Sequence, residues 1–370
     1  MSRVLGIGLA VVLALGVVAA IVISFAQGHT PASTPLVTVH GVIGSEKLPF
    51  FQDSAVIAEL HAKGYDVQVD TAGSRQIATT VDLSKYDFAF PAGEPAGIKI
   101  QQDHHARATY VPFFTPMAIA SFKTIAALLK TAGVVTTVNG VDVFDVKAFL
   151  ALVAQNKRWT DIAGNTTYPA GKSILITSTD PATSNSAAMY LSITSYVANS
   201  NNVVQDQSQA QAVLPAVAPV FTRQGLTLSS TEAPFQDYLS IGIGRSPMVM
   251  IYEAQYLARQ TAKDGSITPD KEMMYPSPTV FSKHTLVPLN ANGDAVGKLL
   301  TTDPKLQSLA VKYGFRTSDP TAFNKYLTDR GVTPPPQLVN VIDPPTYDNL
   351  EALIKGIAGV QSQLKGGTTS

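Results

Sequence analysis

Hydrophobic residues along this chain recur in two alternating patterns, one with a spacing of two residues and one with a spacing of three to four. The first pattern, in segments rich in β-branched and aromatic residues, predicts strands over residues 36–42, 65–69, 86–90, 173–177, 279–281 and 285–289. The second predicts helices over residues 53–63, 122–131, 143–155, 185–198, 207–222, 294–301, 303–313 and 347–364. Strands separated by helices of this length form parallel βαβ units, so the sequence predicts an α/β fold.

Two further hydrophobic segments, residues 110–120 and 247–252, bracket an internal block that has its own strand and helices. We interpret both segments as crossings between two lobes. Lobe one is predicted to comprise residues 36–115 and 250–370, and lobe two residues 116–249.

The N-terminal segment has a different pattern, because residues 4–26 are almost entirely apolar and contain no charged side chain. At about 1.5 Å per helical residue, this length spans the roughly 30 Å hydrocarbon core of a bilayer. We therefore predict that residues 1–26 form one transmembrane anchor, with residues 27–35 as a polar tether. Arg3 precedes the apolar run and no basic cluster follows it, so the rest of the chain is expected outside the cytoplasm, attached to the cell membrane. A cleaved signal peptide is the alternative, and it places the remaining chain on the same side.

The composition narrows the classes of function. Of the 370 residues, 45% are hydrophobic and 15% are charged, which provides for a large core. Equal numbers of basic and acidic residues give zero net charge, which argues against a nucleic-acid-binding protein. The absence of cysteine excludes disulfides, cysteine nucleophiles, zinc–thiolate sites and a lipid-modified N-terminal cysteine. No cofactor or metal site is predicted, and the six histidines are too scattered to assign a hydrolase triad, so an enzyme is not expected.

Short polar side chains are concentrated where predicted strands give way to helices. Such clusters occur at residues 44–47, 72–76, 91–94 and 178–186. In open α/β sheets, ligands bind beyond the carboxyl ends of the strands, where helix N-termini offer free N–H groups and a partial positive charge. Several clusters in both halves of the chain therefore predict a ligand-binding cleft between the lobes.

The candidate ligand-binding residues are Ser45, Glu46, Ser74, Arg75, Ser178, Asp180, Ser184, Asn185, Ser186 and Glu253. For residues 184–186, helix capping alone is the alternative, because serine and asparagine are preferred at the N-cap. Arg75 is a permanently charged bidentate donor and, together with the helix N-termini, it favours an anionic ligand. Three of the candidates are carboxylates, which would repel a fully deprotonated oxyanion. A ligand that also carries a hydrogen-bond donor or an amine is therefore left open.

Five motifs together resemble one known family. They are GVIGSEK at residues 41–47, TAGSRQIA at 71–78, TDPATSNS at 179–186, MIYEAQY at 250–256 and LAVKYGFRT at 309–317. The chain resembles the type II extracytoplasmic solute-binding proteins, the class that includes molybdate, tungstate and phosphate binders, over roughly residues 36–320. The resemblance implies two lobes joined by a two-segment hinge, a small polar or anionic solute in the cleft between them, and an ABC-type membrane permease as partner.

We therefore expect a membrane-anchored, extracytoplasmic solute-binding protein that serves a transporter or a sensor. One alternative is an adaptor or scaffold that keeps the same fold without a ligand. A second alternative is an extracytoplasmic enzyme, for which turnover lost on Ser184→Ala would be the evidence.

Overall fold

The computed structural model describes residues 35–224, 228, 230–335 and 337–366. The predicted membrane anchor, residues 1–26, lies outside these residues and stays a prediction. Within the part of the chain that the structure describes, no helix combines the length and the apolar character needed to cross a bilayer.

Strands and helices alternate along the described chain, as the α/β prediction requires. The strands are β1 Val37–Ile43, β2 Tyr65–Thr71, β3 Phe88–Phe90, β4 Tyr110–Phe122, β5 Val135–Val138, β6 Val141–Asp145, β7 Met248–Tyr252, β8 Lys271–Ser277, β9 Thr279–Pro288 and β10 Val341–Ile342. The helices are α1 Leu48–Phe51, α2 Ser54–Ala62, α3 Ser74–Thr79, α4 Glu94–Asp103, α5 Lys123–Thr131, α6 Val146–Ala154, α7 Asn185–Ala198, α8 Gln207–Thr222, α9 Glu232–Ser240, α10 Glu253–Ala262, α11 Ala291–Thr302, α12 Pro304–Lys312, α13 Pro320–Asp329 and α14 Tyr347–Gly366.

The strands form a mixed sheet with the order β2-β1-β3-β9-β4-β8-β6-β5, in which β10 pairs with β9 and β7 pairs with β4. The pairs β1–β3, β6–β8 and β9–β10 are parallel. The pairs that β4 makes with β7, β8 and β9 are antiparallel, as are β3–β9 and β5–β6. The α/β prediction is therefore confirmed, with parallel pairs on either side of an antiparallel centre.

Strand β4 belongs to both halves of the molecule. Its first half pairs with β9, from Tyr110 opposite Leu286 to Pro116 opposite Phe281. Its second half, from Met117 onward, lies between β7 and β8. Residues 115–122 of β4 are buried throughout, as expected for a strand covered on both faces. The crossing predicted at residues 110–120 is this strand.

Two hydrophobic cores lie along β4. The smaller core packs side chains of β1, β3 and β9 against α1, α2, α11 and α12, and Phe113 contributes to it from β4. The larger core contains Met117 and Phe122 of β4, together with residues of β7, α5 to α9 and α14. In β3 the alternation is visible, because Phe88 and Phe90 face the smaller core while Ala89 faces a third cluster with α3 and α4.

The chain after residue 250 contributes to both cores. Strand β8 pairs with β4 and β6 beside the larger core, and Leu353 of α14 is buried in that core against α8. Helices α11 and α12 cover the smaller core. The predicted division, with residues 36–115 and 250–370 in lobe one and residues 116–249 in lobe two, stays a prediction.

Some predicted elements differ from the structure. Residues 173–177 form two isolated bridges in place of the predicted strand. Ser173 bridges to Arg158, and Thr177 bridges to Val249 at the edge of β7. The strands predicted at 279–281 and 285–289 are one strand, β9, which is continuous because it pairs with β4 across the intervening residues. The helix predicted from residue 143 begins at Val146, since the preceding residues form β6.

A buried ion pair joins three elements near the middle of β4. The fully buried carboxylate of Glu253, at the start of α10, accepts hydrogen bonds from Nε and Nη2 of Arg316, each at 2.7 Å. The Tyr275 hydroxyl on β8 donates to the same carboxylate at 2.5 Å. The backbone of Arg316 exchanges two hydrogen bonds of 2.9 Å with Phe114 of β4. Glu253 thus has structural partners for both of its oxygens.

We predict that Glu253→Ala lowers the free energy of unfolding by about 3–5 kcal/mol, because the Arg316 guanidinium is then left without its partner. The matched control is Glu94→Ala. Glu94 pairs with Lys283 where the two side chains are 35% and 39% exposed, and surface pairs contribute about 0–1 kcal/mol. Denaturant unfolding measures both changes, and equal losses would contradict a structural role for Glu253.

Candidate functional site

Four polar loops and one tyrosine enclose a small cavity, which we call the polar cavity. Its lining residues are 44–46, 72–74, 184–185, 230–231 and Tyr252, and its volume is about 20 Å³. The first two loops follow β1 and β2, and the other two precede α7 and α9. The loops after β1 and β2 belong to the smaller-core half, and those before α7 and α9 belong to the larger-core half. The cavity therefore lies where the two halves meet.

Serine hydroxyls line the polar cavity from both halves. The Oγ atoms of Ser45 and Ser230 lie 3.2 Å apart and link the two halves. Ser74 is buried, and its Oγ accepts a hydrogen bond from the backbone N–H of Ala92 at 2.8 Å. Because that bond uses only the oxygen as acceptor, the Ser74 hydroxyl can still donate its own hydrogen.

The hydroxyls before α7 bond to one another and not to the helix. Ser184 is the N-cap residue of α7, yet its side chain makes no capping hydrogen bond. Its Oγ lies 2.8 Å from Oγ1 of Thr179 and 3.0 Å from Oγ of Ser186. This geometry disfavours the interpretation that Ser184 serves as a cap alone. It also leaves the first turn of α7 without a side-chain cap, so its N–H groups can donate hydrogen bonds to a ligand.

Asn185 connects the cavity to the strands behind it. Its Nδ2 donates to the Tyr252 hydroxyl at 3.0 Å and to Oγ of Ser282 at 3.1 Å, and so joins α7 to β7 and β9. Its Oδ1 lies directly over Gly93, where a Cβ atom would collide with it. Glycine at this position allows the loop after β3 to approach α7 closely.

A buried group of charges lies next to the polar cavity. The Glu46 carboxylate pairs with Nζ of Lys47, which lies 3.2 Å from Nδ1 of His284. Lys47 and His284 are fully buried. Burial lowers the pKa of Lys47, with Glu46 acting in the opposite direction, and burial together with Lys47 holds the pKa of His284 well below its usual range. His284 is therefore neutral, and Nζ of Lys47 is the partner of the Glu46 carboxylate.

Of the predicted site residues, the structure brings together Ser45, Glu46, Ser74, Ser184 and Asn185 in the lining. Ser186 lies behind the lining, where it bonds to Thr179 and Ser184.

The other candidates have different partners. Arg75 donates from Nε to the carbonyl of Ala182 at 2.8 Å, and its guanidinium pairs with Glu351 of α14. The Asp180 carboxylate accepts from the Ala182 N–H at 2.8 Å, beside α14. The buried Ser178 donates its backbone N–H to the side chain of Gln224 at 2.7 Å. These residues and Glu253 lie outside the lining of the polar cavity, and their role in ligand binding stays a prediction.

Among the lining residues that carry a polar side chain, Ser230, Thr231 and Tyr252 were not sequence candidates. A signal for the first two exists, because Ser230-Thr231 comes immediately before Glu232 at the start of α9, the pattern of a capped helix N-terminus. Tyr252 carried no such signal, since it ends an otherwise hydrophobic strand.

No protein-family model matches this chain, and no curated protein matches it. Several solved structures do. The sulfate-binding protein SubI from Mycobacterium tuberculosis superposes with a TM-score of 0.53 at 17% identity, covering 88% of this chain and 99% of that one. Iron-bound HitA from Pseudomonas aeruginosa gives 0.52 at 10% identity, covering 88% and 99%. The periplasmic binding protein AfuA from Actinobacillus pleuropneumoniae, with fructose-6-phosphate bound, gives 0.51 at 11% identity, covering 86% and 96%. The chain thus has the two-lobe fold of type II periplasmic solute-binding proteins, and the resemblance in sequence is confirmed at the level of the fold.

The buried histidine predicts a pH dependence of stability. His284 is neutral in the folded protein but takes up a proton on unfolding below its ordinary pKa of about 6.5. The unfolded state then binds more protons, so stability falls as pH decreases below about 6.5, by up to about 1.4 kcal/mol per pH unit. We predict that His284→Gln, which keeps an acceptor for Lys47, loses less free energy of unfolding than the wild type between pH 6.5 and 5. Urea unfolding at each pH measures this loss. The exposed His104→Gln is the control, and a slope in His284→Gln equal to that of the wild type would contradict the assignment.

Proposed function

We propose that this chain captures a small polar solute between its two lobes and holds it at the polar cavity. The observation that carries the proposal is the convergence of four polar loops, two from each half, on one point. Hydroxyls of Ser45, Ser74 and Ser230 and the uncapped first turn of α7 supply hydrogen bonds without any catalytic group. Bonds of this kind become stronger when lobe closure excludes water.

The electrostatics support an anionic or polar ligand. The N-terminus of α7, a helix of 14 residues, contributes partial positive charge to the cavity. The carboxylate in the lining, Glu46, has Nζ of the buried Lys47 as its hydrogen-bond partner, so it opposes an anion less than an unpaired carboxylate would. Hydroxyl and backbone donors match the oxygens of an oxyanion. A ligand that also donates a hydrogen bond fits the Glu46 carboxylate as well.

Entry of a solute requires the lobes to separate. A volume of about 20 Å³ holds approximately one water molecule, so the loops enclose too little space for a solute of several heavy atoms. We infer a hinge at the strands that cross between the cores, β4 and β9, with opening that moves the loops of 44–46 and 72–74 away from those before α7 and α9.

We further propose that residues 1–26 anchor the protein in the cell membrane with the lobes outside, and that an ABC-type permease or a sensor receives the solute. The anchor rests on the uncharged apolar run of residues 4–26. The permease rests on the resemblance in sequence to solute-binding proteins.

A second candidate function is that of a scaffold without a ligand. The small volume of the polar cavity and the direct contact between Ser45 and Ser230 favour it, since both describe lobes that are closed with nothing between them. A solute screen separates the two functions.

We predict that a thermal-shift screen of sulfate, phosphate, molybdate, sugar phosphates and small carboxylates finds a stabilising solute. At a concentration one hundred times Kd, binding to the folded state alone adds about 2.7 kcal/mol of stability. Ser45→Leu and Ser230→Leu should each abolish the shift, because leucine fills the polar cavity, while the exposed Ser240→Leu keeps it. No shift with any solute would favour the scaffold, and a shift that survives both leucines would place the ligand elsewhere.

Arg75 gives a second prediction. Its contacts with Ala182 and Glu351 join α3 to the larger-core half, so they stabilise the closed lobes. We predict that Arg75→Ala weakens solute binding by about 1.5–3 kcal/mol, the scale of a hydrogen bond to a charged group. Glu351→Ala should weaken it in the same direction, and the exposed Arg107→Ala should not. Calorimetry with the solute from the screen measures all three. A loss in Arg75→Ala alone would contradict the closure role and assign Arg75 to direct ligand contact.

A further inference from the structure

A second, much larger cavity opens beside the polar cavity. Its volume is about 670 Å³, and it lies between α10, α1 and the segment from the end of α12 to α13. Aromatic rings form much of its wall, from Phe235, Tyr252, Tyr313, Phe315 and Tyr326. We call it the aromatic chamber.

The two cavities are continuous. Ser45, Glu46 and Tyr252 line both of them, so one molecule can reach from the hydroxyls of the polar cavity into the aromatic chamber. Small-molecule sites have volumes of about 300–1,000 Å³ and apolar walls with a few polar groups at one end. The combined shape matches that description.

The charged side chains of the chamber are bound to other protein groups. Arg259 pairs with Asp264 at 3.2 Å and with Glu232 at 3.4 Å. Lys312 pairs with Asp53, and the guanidinium of Arg330 lies 3.6 Å from the ring centroid of Tyr326. The aromatic chamber therefore offers apolar surface in preference to a second ion site.

We propose that the ligand is an organic anion, with an oxyanion head group in the polar cavity and an apolar body, of about the size of one or two fused rings, in the aromatic chamber. This inference rests on the proposed function, because the polar cavity must hold the head group. An inorganic oxyanion would occupy the polar cavity and leave the aromatic walls in contact with water. An aromatic or aliphatic body would instead bury apolar surface against rings that already favour edge and stacked contacts.

The test compares head groups with and without an apolar body. Isothermal titration calorimetry is carried out with inorganic phosphate, 1-naphthyl phosphate, sulfate and naphthalene-1-sulfonate. Within each pair the naphthyl compound is expected to bind at least about tenfold more tightly, since burial of a ring system is worth more than the roughly 1.4 kcal/mol that tenfold requires.

Two variants locate the apolar body. Ala258 of α10 lines the aromatic chamber and is absent from the polar cavity, so Ala258→Phe places a ring in the chamber alone. It should remove the naphthyl advantage and leave the affinity for phosphate or sulfate within about twofold. The matched control is Ala151→Phe at an exposed position of α6, which should change neither.

The outcomes separate this inference from the proposed function. Equal affinities of the naphthyl and inorganic compounds within both pairs overturn the organic-ligand inference. Binding of the inorganic ions in that case still supports the proposed function. A naphthyl advantage that survives Ala258→Phe also overturns it, because the body then lies outside the chamber. If none of the four probes binds, the inference fails, and the solute screen described above decides the proposed function independently.

Discussion

The strand β4 is the constraint on which the rest of the structure depends. Its first half pairs with β9 and carries Phe113 into the smaller core, and its second half lies between β7 and β8 in the larger core. One continuous strand thus fixes the position of both cores, and the buried Glu253–Arg316 pair adds a fixed point beside its middle. Two of the loops that form the polar cavity follow strands of the smaller-core half, and the other two precede helices of the larger-core half. Their convergence is therefore a consequence of strand pairing, and relative motion of the halves must bend the crossing strands.

The polar cavity and the aromatic chamber make different physical contributions. Hydroxyls and the uncapped N-terminus of α7 supply directional hydrogen bonds, and Nζ of Lys47 is the partner of the Glu46 carboxylate. The chamber adds apolar surface, which gives affinity without orientation. A ligand that uses both would owe its specificity to the polar cavity and much of its affinity to the rings. The closed contact between Ser45 and Ser230 indicates that access depends on lobe opening.

Local patterns were sufficient to predict much of the fold and several residues that line the polar cavity. Helices α7 and α8 follow from the spacing of their hydrophobic residues, and the rule for junctions between strands and helices selects Ser45, Ser74, Ser184 and Asn185, which line the polar cavity. The hairpin of β5 and β6 was missed although Asn139-Gly140, both at positive φ, is a typical turn. The partners of Arg75 and Glu253 could not be predicted. Each pairs with a residue distant in sequence, Glu351 and Arg316, and such contacts depend on tertiary packing that periodicity does not encode.

Hydrogen–deuterium exchange with mass spectrometry tests the central claim most directly, because it requires no substitution and reports on each loop separately. With a stabilising solute from the screen present, the account predicts slower exchange in all four loops of the polar cavity, at residues 44–47, 72–76, 184–187 and 230–233. Helix α6, which lines neither cavity, should be unchanged. Protection confined to one half of the molecule, or found only at surfaces away from these loops, would contradict a solute held between the lobes.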